Sequence, residues 1–541
     1  MIRRIINSRS KTITFSAGLI AFSVGISAVL GLLRDRLLVG YFDIEKLDIY
    51  FAAFAIPDFV YGVIITGGIV AAFLPIFALT LEKSKNEGWK LANNTLNVLI
   101  ITLTVLCGIL FLFTPFIVKI IAPGFSAEYL QETVFLTRIM LISPILLGAS
   151  SLFSGVLQYF DKFLAYSLAP IFYNIGIIFG IIFFTPYFGL SGLAYGVILG
   201  SILHLLVQIP SSYFSGFSYQ AILDLNQKEL RRIFYLMIPR IVGQVSSKVN
   251  VIVTTALASL LTAGSISIFN LANHLQSFPV RVIGVAFAVA AFPAFSKSLA
   301  AQEKEKFSKS LSSVICQVLF FIIPISIIIF LLRAHIVRLV LGTEGFGWKE
   351  TQLTAASLGI FAFSFFAAAL VHVLVRAFFS FQDTKTPVIA SLVSMGTNIS
   401  LSFLFIWILG FDNIFRNFLA ASLKIQSINN IEVIAFPLAI LFSTVLHFFL
   451  LIYFFKNRVG GFKGMGIRDC LEKIILSSTI MGLSTFILLR IIGKTIVLQT
   501  FLAVLAQTII ALVFAFFVYV FVSKLLKSKE LFSIKEAFSR R

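Results

Sequence analysis

The feature that most limits what this chain can fold into is a succession of apolar runs, each about as long as a bilayer is thick. A helix needs roughly 20 apolar residues to cross hydrocarbon. Fourteen such runs can be marked, over 12–33, 49–80, 95–121, 135–159, 164–184, 190–209, 231–261, 265–296, 313–332, 353–379, 387–408, 434–453, 472–491 and 497–522. Runs of this length have to be helical, because every backbone N–H and C=O in lipid must be satisfied within the segment. The alternation of a membrane barrel is absent. The expected fold class is an all-α integral membrane protein of about 14 transmembrane helices.

Composition closes off the alternatives. Of 541 residues, 59% are hydrophobic and 12% charged, against about 25% charged in soluble domains. A soluble interior cannot hide that much apolar surface, and a disordered chain would need far more polar residues. The net charge of +20 would suggest nucleic acid in a soluble protein. In a membrane protein it is first a matter of topology. Loops on the N-terminal side of the alternation carry more than twice the Lys and Arg of the opposite loops. That asymmetry places both termini in the cytoplasm. Arg3, Arg4, Arg9 and Lys11 before an apolar run resemble a signal peptide, but the run 12–33 is too long and no cleavage site follows, so it reads as the first span. Segments 210–230 and 409–433 mix apolar and polar residues and read as interfacial amphipathic stretches. Cys107, Cys316 and Cys470 form no CxxC pair and read as buried filler, with neither disulfides nor a metal cluster indicated.

A weak internal repeat organises the spans. Val24-Gly25 precedes Pro75, and Val242-Gly243 precedes Pro293, at the same distance of 50 positions. Tyr159-Phe160-Asp161-Lys162 leads to Asn174, and Phe381-Gln382-Asp383-Thr384-Lys385 leads to Asn398. The expected division is an N-lobe over 1–210 (spans 1–6), an amphipathic linker over 211–230 and a C-lobe over 231–455 (spans 7–12). Residues 456–541 then add spans 13 and 14 and a basic tail. Six spans is an even number, so the halves are parallel repeats with a cavity between them, suited to alternating access.

Charged groups inside spans are the informative ones, since each costs ~2.5–3.5 kcal/mol at a span centre. Arg138 and Arg376 lie near span ends and read as snorkelling. Lys248 and Arg281 are central in spans 7 and 8. Arg240, Gln244 and Lys248 share one helical face, with Ser247 beside it. His274 and Arg281 are two turns apart, with Asn270 and Asn273 just before. Asp58 is the one clear intramembrane acid, with Asp35 and Asp48 at span ends. The central cations therefore read as lacking internal partners and as lining a cavity for an anionic cargo; the alternative is that they pair with Asp58 or backbone carbonyls. His204, His372 and His447 read as hydrogen-bonded core residues. Gly189-Leu190-Ser191-Gly192 has the form of a protease motif but reads as a turn. No metal-binding, nucleotide-binding or catalytic motif stands elsewhere, so the chain reads as a non-enzyme without cofactors. A coupling ion or the membrane potential is left open.

The span 1 stretch Ile26-Ser27-Ala28-Val29-Leu30-Gly31-Leu32-Leu33-Arg34-Asp35 resembles the S-R-x-L-G-x-x-R-D signature of the MurJ/MviN lipid II flippase family. Asp48 through Pro57, then Phe278-Pro279 with Gly284-Val285-Ala286, Pro293 and Ser296-Lys297, are similar to further family stretches. Phe379 through Pro387 is close to its S-x-x-D-T-K-T-P and is the most specific match. The resemblance implies a MATE-like fold, two six-helix lobes in a V with spans 13 and 14 forming a groove for the lipid tail. It implies a multi-pass protein of the bacterial inner membrane that carries lipid II to the outer leaflet as a monomer. The family's cavity arginines are mostly replaced. Ala28 stands for an Arg, Tyr61-Gly62 for a pair of Arg, Thr66 for an acid, and Asn273-His274 for an Asp-Arg pair. Arg34, Asp35 and Asp48 remain. The expected cargo-binding set is Arg34, Asp35, Asp48, Tyr61, Lys248, Asn273, His274 and Arg281. A flippase for another polyprenyl-pyrophosphate-linked glycan and a MATE-like exporter stay open. A scaffold with relic cations and a membrane glycosyltransferase are the readings from other classes.

Overall fold

The computed structural model describes residues 13–459, 466–495 and 500–532, which form helices and turns with no strand among them. Arg3, Arg4, Arg9 and Lys11 at one end and Lys535, Arg540 and Arg541 at the other fall outside that set. The helices pack as two compact units that divide between Ser267 and Ile268. The division therefore falls one helix later in the chain than the linker at 211–230.

The first unit holds α1 (Ile13–Tyr41), α2 (Ile44–Val60), α3 (Val70–Lys83), α4 (Lys85–Ile121), α5 (Ala127–Met140), α6 (Ile142–Tyr159), α7 (Phe163–Phe179), α8 (Ser191–Leu206) and α9 (Lys228–Ser259). The second unit takes most of α10 (Ser265–Pro279) and then α11 (Ala286–Ala300), α12 (Lys304–Leu341), α13 (Trp348–Ala362), α14 (Phe365–Ser380) and α15 (Lys385–Leu409). It ends with α16 (Ile414–Leu423), α17 (Ala435–Val459), α18 (Ile467–Thr495) and α19 (Phe501–Leu525). Among the described residues, 11 helices are long and apolar enough to cross a membrane, or 12 if the pair α13 and α14, bent by 50°, is one span. A count of fourteen is not reached by that measure. α9, which carries Arg231, Arg232, Arg240 and Lys248, is one of the long helices outside it.

Two helices are interrupted at matching places in the repeat. α2 runs into α3 through a π-helical stretch, Tyr61–Ile69, and α10 into α11 through another, Val280–Val285. Each follows a proline, Pro57 or Pro279. Proline has no N–H, so it leaves a carbonyl one turn back without its helical donor. At Ala53 the Thr137 hydroxyl donates to that carbonyl at 3.2 Å. Widened turns of this kind re-aim side chains and recur at functional sites.

The second echo in the sequence is also visible as backbone geometry. Asp161 and Gln382 both adopt left-handed conformations, with φ of 57° and 60°. Behind them, the Lys162 N–H donates to the Leu157 carbonyl at 2.9 Å, and the Asp383 N–H to the Phe378 carbonyl at 3.1 Å. Both are the five-residue closures of a helix C-terminus. The protease-like Gly189-Leu190-Ser191-Gly192 is a turn: Gly189 has φ 55° and Ser191 opens α8.

α7 and α8 cross where Gly176 and Gly180 face Gly200 and Gly196, so closely that a Cβ on either helix would overlap the other's backbone. Small residues four apart allow this approach in membranes. The segment after α8 is helical only over Ile209–Tyr213 and then runs as an extended strap. Three asparagines of α4 hold the strap. Asn93 exchanges hydrogen bonds with the backbone of Ser218 and Gln220, Asn94 with Asp224, and Asn97 donates to Gln220 and Ile222. Backbone that would otherwise need water is satisfied by side-chain amides, which is why this stretch needs no amphipathic helix. Segment 409–433 does carry one, α16, with Ile414 and Phe418 exposed.

Candidate functional site

The Pro57 break places Asp58 and Tyr61 beside α1. A cavity of about 210 Å³ opens there, within the first unit, and its polar lining is Arg34, Asp58, Tyr61, Ser143, Tyr173 and His204. The Arg34 guanidinium donates to one Asp35 oxygen through Nε at 3.1 Å and Nη2 at 2.9 Å. Asp35 is buried at 2% exposure. It holds two of the Arg34 donors and so fixes the guanidinium at the cavity wall.

Lys248 reaches the same neighbourhood from α9. Its Nζ lies 2.6 Å from Asp58 Oδ2, and both side chains remain partly exposed, at 22% and 31%. Gly62 makes this possible, because a Cβ at that position would overlap Lys248 Cε and lie 2.8 Å from Nζ. The reading of Lys248 as a cation without an internal partner is therefore corrected. Asp58 and Gly62 are four residues apart and share a face, so one residue supplies the counter-charge and the other the space. Asp58 was visible in the sequence as the one intramembrane acid, and pairing of the central cations with it was the alternative reading; the structure takes that alternative for Lys248.

His204 lines the cavity but is tied down behind it. Its Nδ1 lies 2.7 Å from Ser150 Oγ, which accepts from Gln208 Nε2 at 2.6 Å. Gln208 Oε1 in turn accepts from Ser154 at 2.7 Å. This satisfied network agrees with a core role. Asp48 is also committed. Its two oxygens accept the N–H groups of Gly264 and Ser267, each at 2.7 Å, which caps the start of α10. Asp48 is 3% exposed and is not among the residues lining the cavity.

In the second unit, Asn273 Oδ1 accepts from Gln276 at 2.7 Å, and the His274 carbonyl accepts from the Ser277 hydroxyl at 2.9 Å. Arg281 stands in the π-helical stretch with its side chain exposed. Arg376 and Arg281 are both within electrostatic reach of His372, and His372 of His447. The Arg376 guanidinium lies 5.6 Å from the Phe292 ring centroid. The side chains of Arg240, Ser247 and Thr66 lie outside the described residues.

The second unit also contains an apolar cavity of about 550 Å³, walled by α12, α14, α17 and α18 through residues such as Leu319, Ile323, Phe366, Leu370, Ile452 and Leu471. A cavity lined this way favours a hydrocarbon chain over a polar solute.

The family model described as "Lipid II flippase MurJ" matches residues 43–507. A probable lipid II flippase MurJ of Buchnera aphidicola subsp. Acyrthosiphon pisum is 30% identical over 385 residues, covering 69% of this chain and 74% of its own. One from Vibrio cholerae is 26% identical over 419 residues, covering 74% and 79%. Among solved structures, a lipid II flippase MurJ in an inward closed conformation aligns with a TM-score of 0.74 at 23% identity, covering 94% of this chain and 98% of that one. An inward-facing MATE multidrug transporter aligns at 0.66 and 13% identity, covering 82% and 98%. At these identities the structural likeness speaks for the fold, which is the MATE-like one.

Proposed function

This multi-pass membrane protein belongs to the lipid II flippase MurJ family, and from that membership we propose that it translocates lipid II from the cytoplasmic to the outer leaflet of the bacterial inner membrane by alternating access. The family match over 43–507 carries the proposal. Both termini are cytoplasmic and the working unit is a monomer. The transport lobes are 1–210 and 231–455, joined by the amphipathic linker over 211–230 whose backbone the α4 asparagines hold, with residues 456–541 appended.

The residues divide the work by chemistry. A pyrophosphate is held by charge-assisted hydrogen bonds, and Arg offers several donors in a fixed fork. Arg34, steadied by Asp35, and Lys248, steadied by Asp58, are the donors in the first unit, with the Tyr61 hydroxyl beside them. Arg281 is the donor in the second unit, assisted by Asn273 and by His274, whose charge an anion would favour. Asp48 supports the site from behind by capping α10. Each cation in the first unit has an acid beside it, so cargo binding exchanges one anion for another rather than neutralising a bare charge. That exchange keeps the resting cost of a charge in the membrane low. The apolar cavity of the second unit suits the polyprenyl tail.

Rescue of a bacterium depleted of its own lipid II flippase tests the reading, combined with the exposure of lipid II to a probe added outside the cell. Growth with outward lipid II is the expected result. Loss of viability despite normal membrane insertion would transfer the assignment to another polyprenyl-pyrophosphate glycan, the reading favoured by the replacement of family arginines at Ala28, Tyr61-Gly62 and His274.

A further inference from the structure

Three elements of the second unit bring two thiols and a carboxylate to one point. Cys316 is on α12, Cys470 is in the first turn of α18, and Glu530 follows the turn that ends α19. Their ligand atoms all lie within 4.8 Å of one another. Both cysteines are 5% exposed, and Cys470 is within hydrogen-bonding reach of both Cys316 and Glu530. The local backbone sets up the meeting. Lys527 adopts a left-handed conformation with φ 50°, and the Ser528 N–H closes on the Ser523 carbonyl at 3.0 Å. That turn folds the chain back, and the Ser528 hydroxyl then donates to Glu530 Oε2 at 2.7 Å. Cysteines this far apart in sequence have no ligand spacing to betray them, which is why they read as filler.

We propose that Cys316, Cys470 and Glu530 form a binding site for one zinc-class divalent ion, which fastens α18 and the end of α19 to α12. Two thiolates with a carboxylate suit zinc rather than magnesium or calcium, which prefer all-oxygen shells. Sulfur ligands at about 2.3 Å from a tetrahedral zinc stand ~3.8 Å apart. A cluster already held within 4.8 Å closes to that geometry by side-chain rotation. All three residues line a cavity of about 410 Å³, which gives a water room to complete the shell. The three ligands bind as anions and the ion supplies two positive charges, which leaves one negative charge. Lys309, Lys473, Lys529 and Asp469 line the same cavity; Lys473 pairs with Asp469 at 3.1 Å and Lys309 with Glu305 at 2.6 Å, so Lys529 is the cation that offsets the remaining charge. A plain disulfide would leave the carboxylate unexplained, and in the proposed orientation this end faces the reducing cytoplasm, where cysteine pairs more often serve metals. Glu530 as hydrogen-bonded neighbour rather than ligand is the competing arrangement.

The test uses the full-length chain in detergent, reduced and stripped with a chelator, and cobalt(II) as the probe. The expected result is one equivalent of cobalt with a thiolate-to-metal charge-transfer band, displaced by zinc. Cys316→Ser and Cys470→Ser should each weaken that band and the affinity, Glu530→Gln should keep the band but weaken binding about tenfold or more, and Cys107→Ser should leave both unchanged. Should a serine variant fail to fold, alkylation of the parent chain decides: zinc should protect two of its three cysteines. Folded protein that binds cobalt without the thiolate band, equal alkylation of all three cysteines with zinc present, or a band at full strength in Cys316→Ser would overturn the proposal. None of these readouts depends on transport, so they stand or fall apart from the flippase reading.

Discussion

The Lys248–Asp58 pair makes the most discriminating prediction. Nζ and Oδ2 are 2.6 Å apart, and the pair joins α9 to the start of the break in α2. Removing one member of a fully buried pair costs about 3–5 kcal/mol, because the other charge is left without compensation. A fully exposed pair is worth about 0–1 kcal/mol. With side chains 22% and 31% exposed, the expected coupling lies between, at roughly 1–2 kcal/mol. Lys248→Gln alone and Asp58→Asn alone should each lower thermal stability in detergent by about that amount. The double substitution should recover most of the loss, since two amides can hydrogen-bond without charge. A double-mutant cycle on melting or denaturant midpoints measures the coupling directly. Function should separate from stability in the same set. The double variant, folded and inserted, should still fail to rescue flippase-depleted cells, because the pyrophosphate has lost a cation. Asp58→Asn alone should bind lipid II more tightly than the parent, since cargo no longer competes with a resident carboxylate. A coupling near zero would refute the structural half of this reasoning. A double variant that rescues as well as the parent would refute the functional half, leaving Arg34 and Arg281 to hold the headgroup. Gly62→Ala offers a check that touches no charge. A methyl there displaces Lys248, so rescue should fall as in Lys248→Gln.

Three further expectations follow from the cap geometry and the charge pattern. Asp48→Ala strands the N–H groups of Gly264 and Ser267 and should cost about 1–3 kcal/mol per buried donor, read as a lower melting temperature with little change in cargo affinity. Asp383 accepts from the Thr386 N–H at 3.0 Å and the Thr386 hydroxyl at 2.7 Å at the start of α15, so Asp383→Ala should cost about 1 kcal/mol and lower folded yield without altering lipid II binding; normal yield with lost binding would contradict this. Cysteines introduced at Glu87, Glu303 and Lys527 should be shielded from an impermeant thiol reagent in intact cells, and labelling of any two would reverse the topology.

Much of the fold was legible because membranes enforce one rule that sequences must display. Backbone satisfied within each apolar run means helices, and the runs are long enough to see. The repeat was legible for a related reason. Prolines and turn residues have few conformational options, so Asp161 and Gln382, and the breaks after Pro57 and Pro279, sit at matching places in both units. Asp383 stands four positions before Pro387, the spacing of a residue that caps the start of α15, and its bonds to Thr386 agree. What escaped was everything decided by partners distant in the chain. Lys248 was given an acid partner only as an alternative, because Asp58 is on α2, far away in the chain. Cys316 and Cys470 looked inert because no spacing links them.

The loss of arginines from the first unit is then better understood as relocation than as decay. A glycine at 62 removes a side chain from α2 and leaves room for one from α9, and Lys248 fills that room. A cation carried by the interrupted helix would be fixed in place by its own backbone. A cation carried by α9 and held by an acid on α2 can exchange that acid for a phosphate, because the bond that restrains it is electrostatic and the two anions compete for the same ammonium group. The lysine also gives up the planar fork of an arginine for three rotatable donors, which suits a group that must let go of one anion to take another. On this argument Lys248→Arg, which keeps the charge but needs more room beside Gly62, should bind cargo yet release it slowly. Measured flipping would then fall while equilibrium affinity for lipid II holds or rises. Equal losses in both would mean that the lysine acts only as a fixed charge.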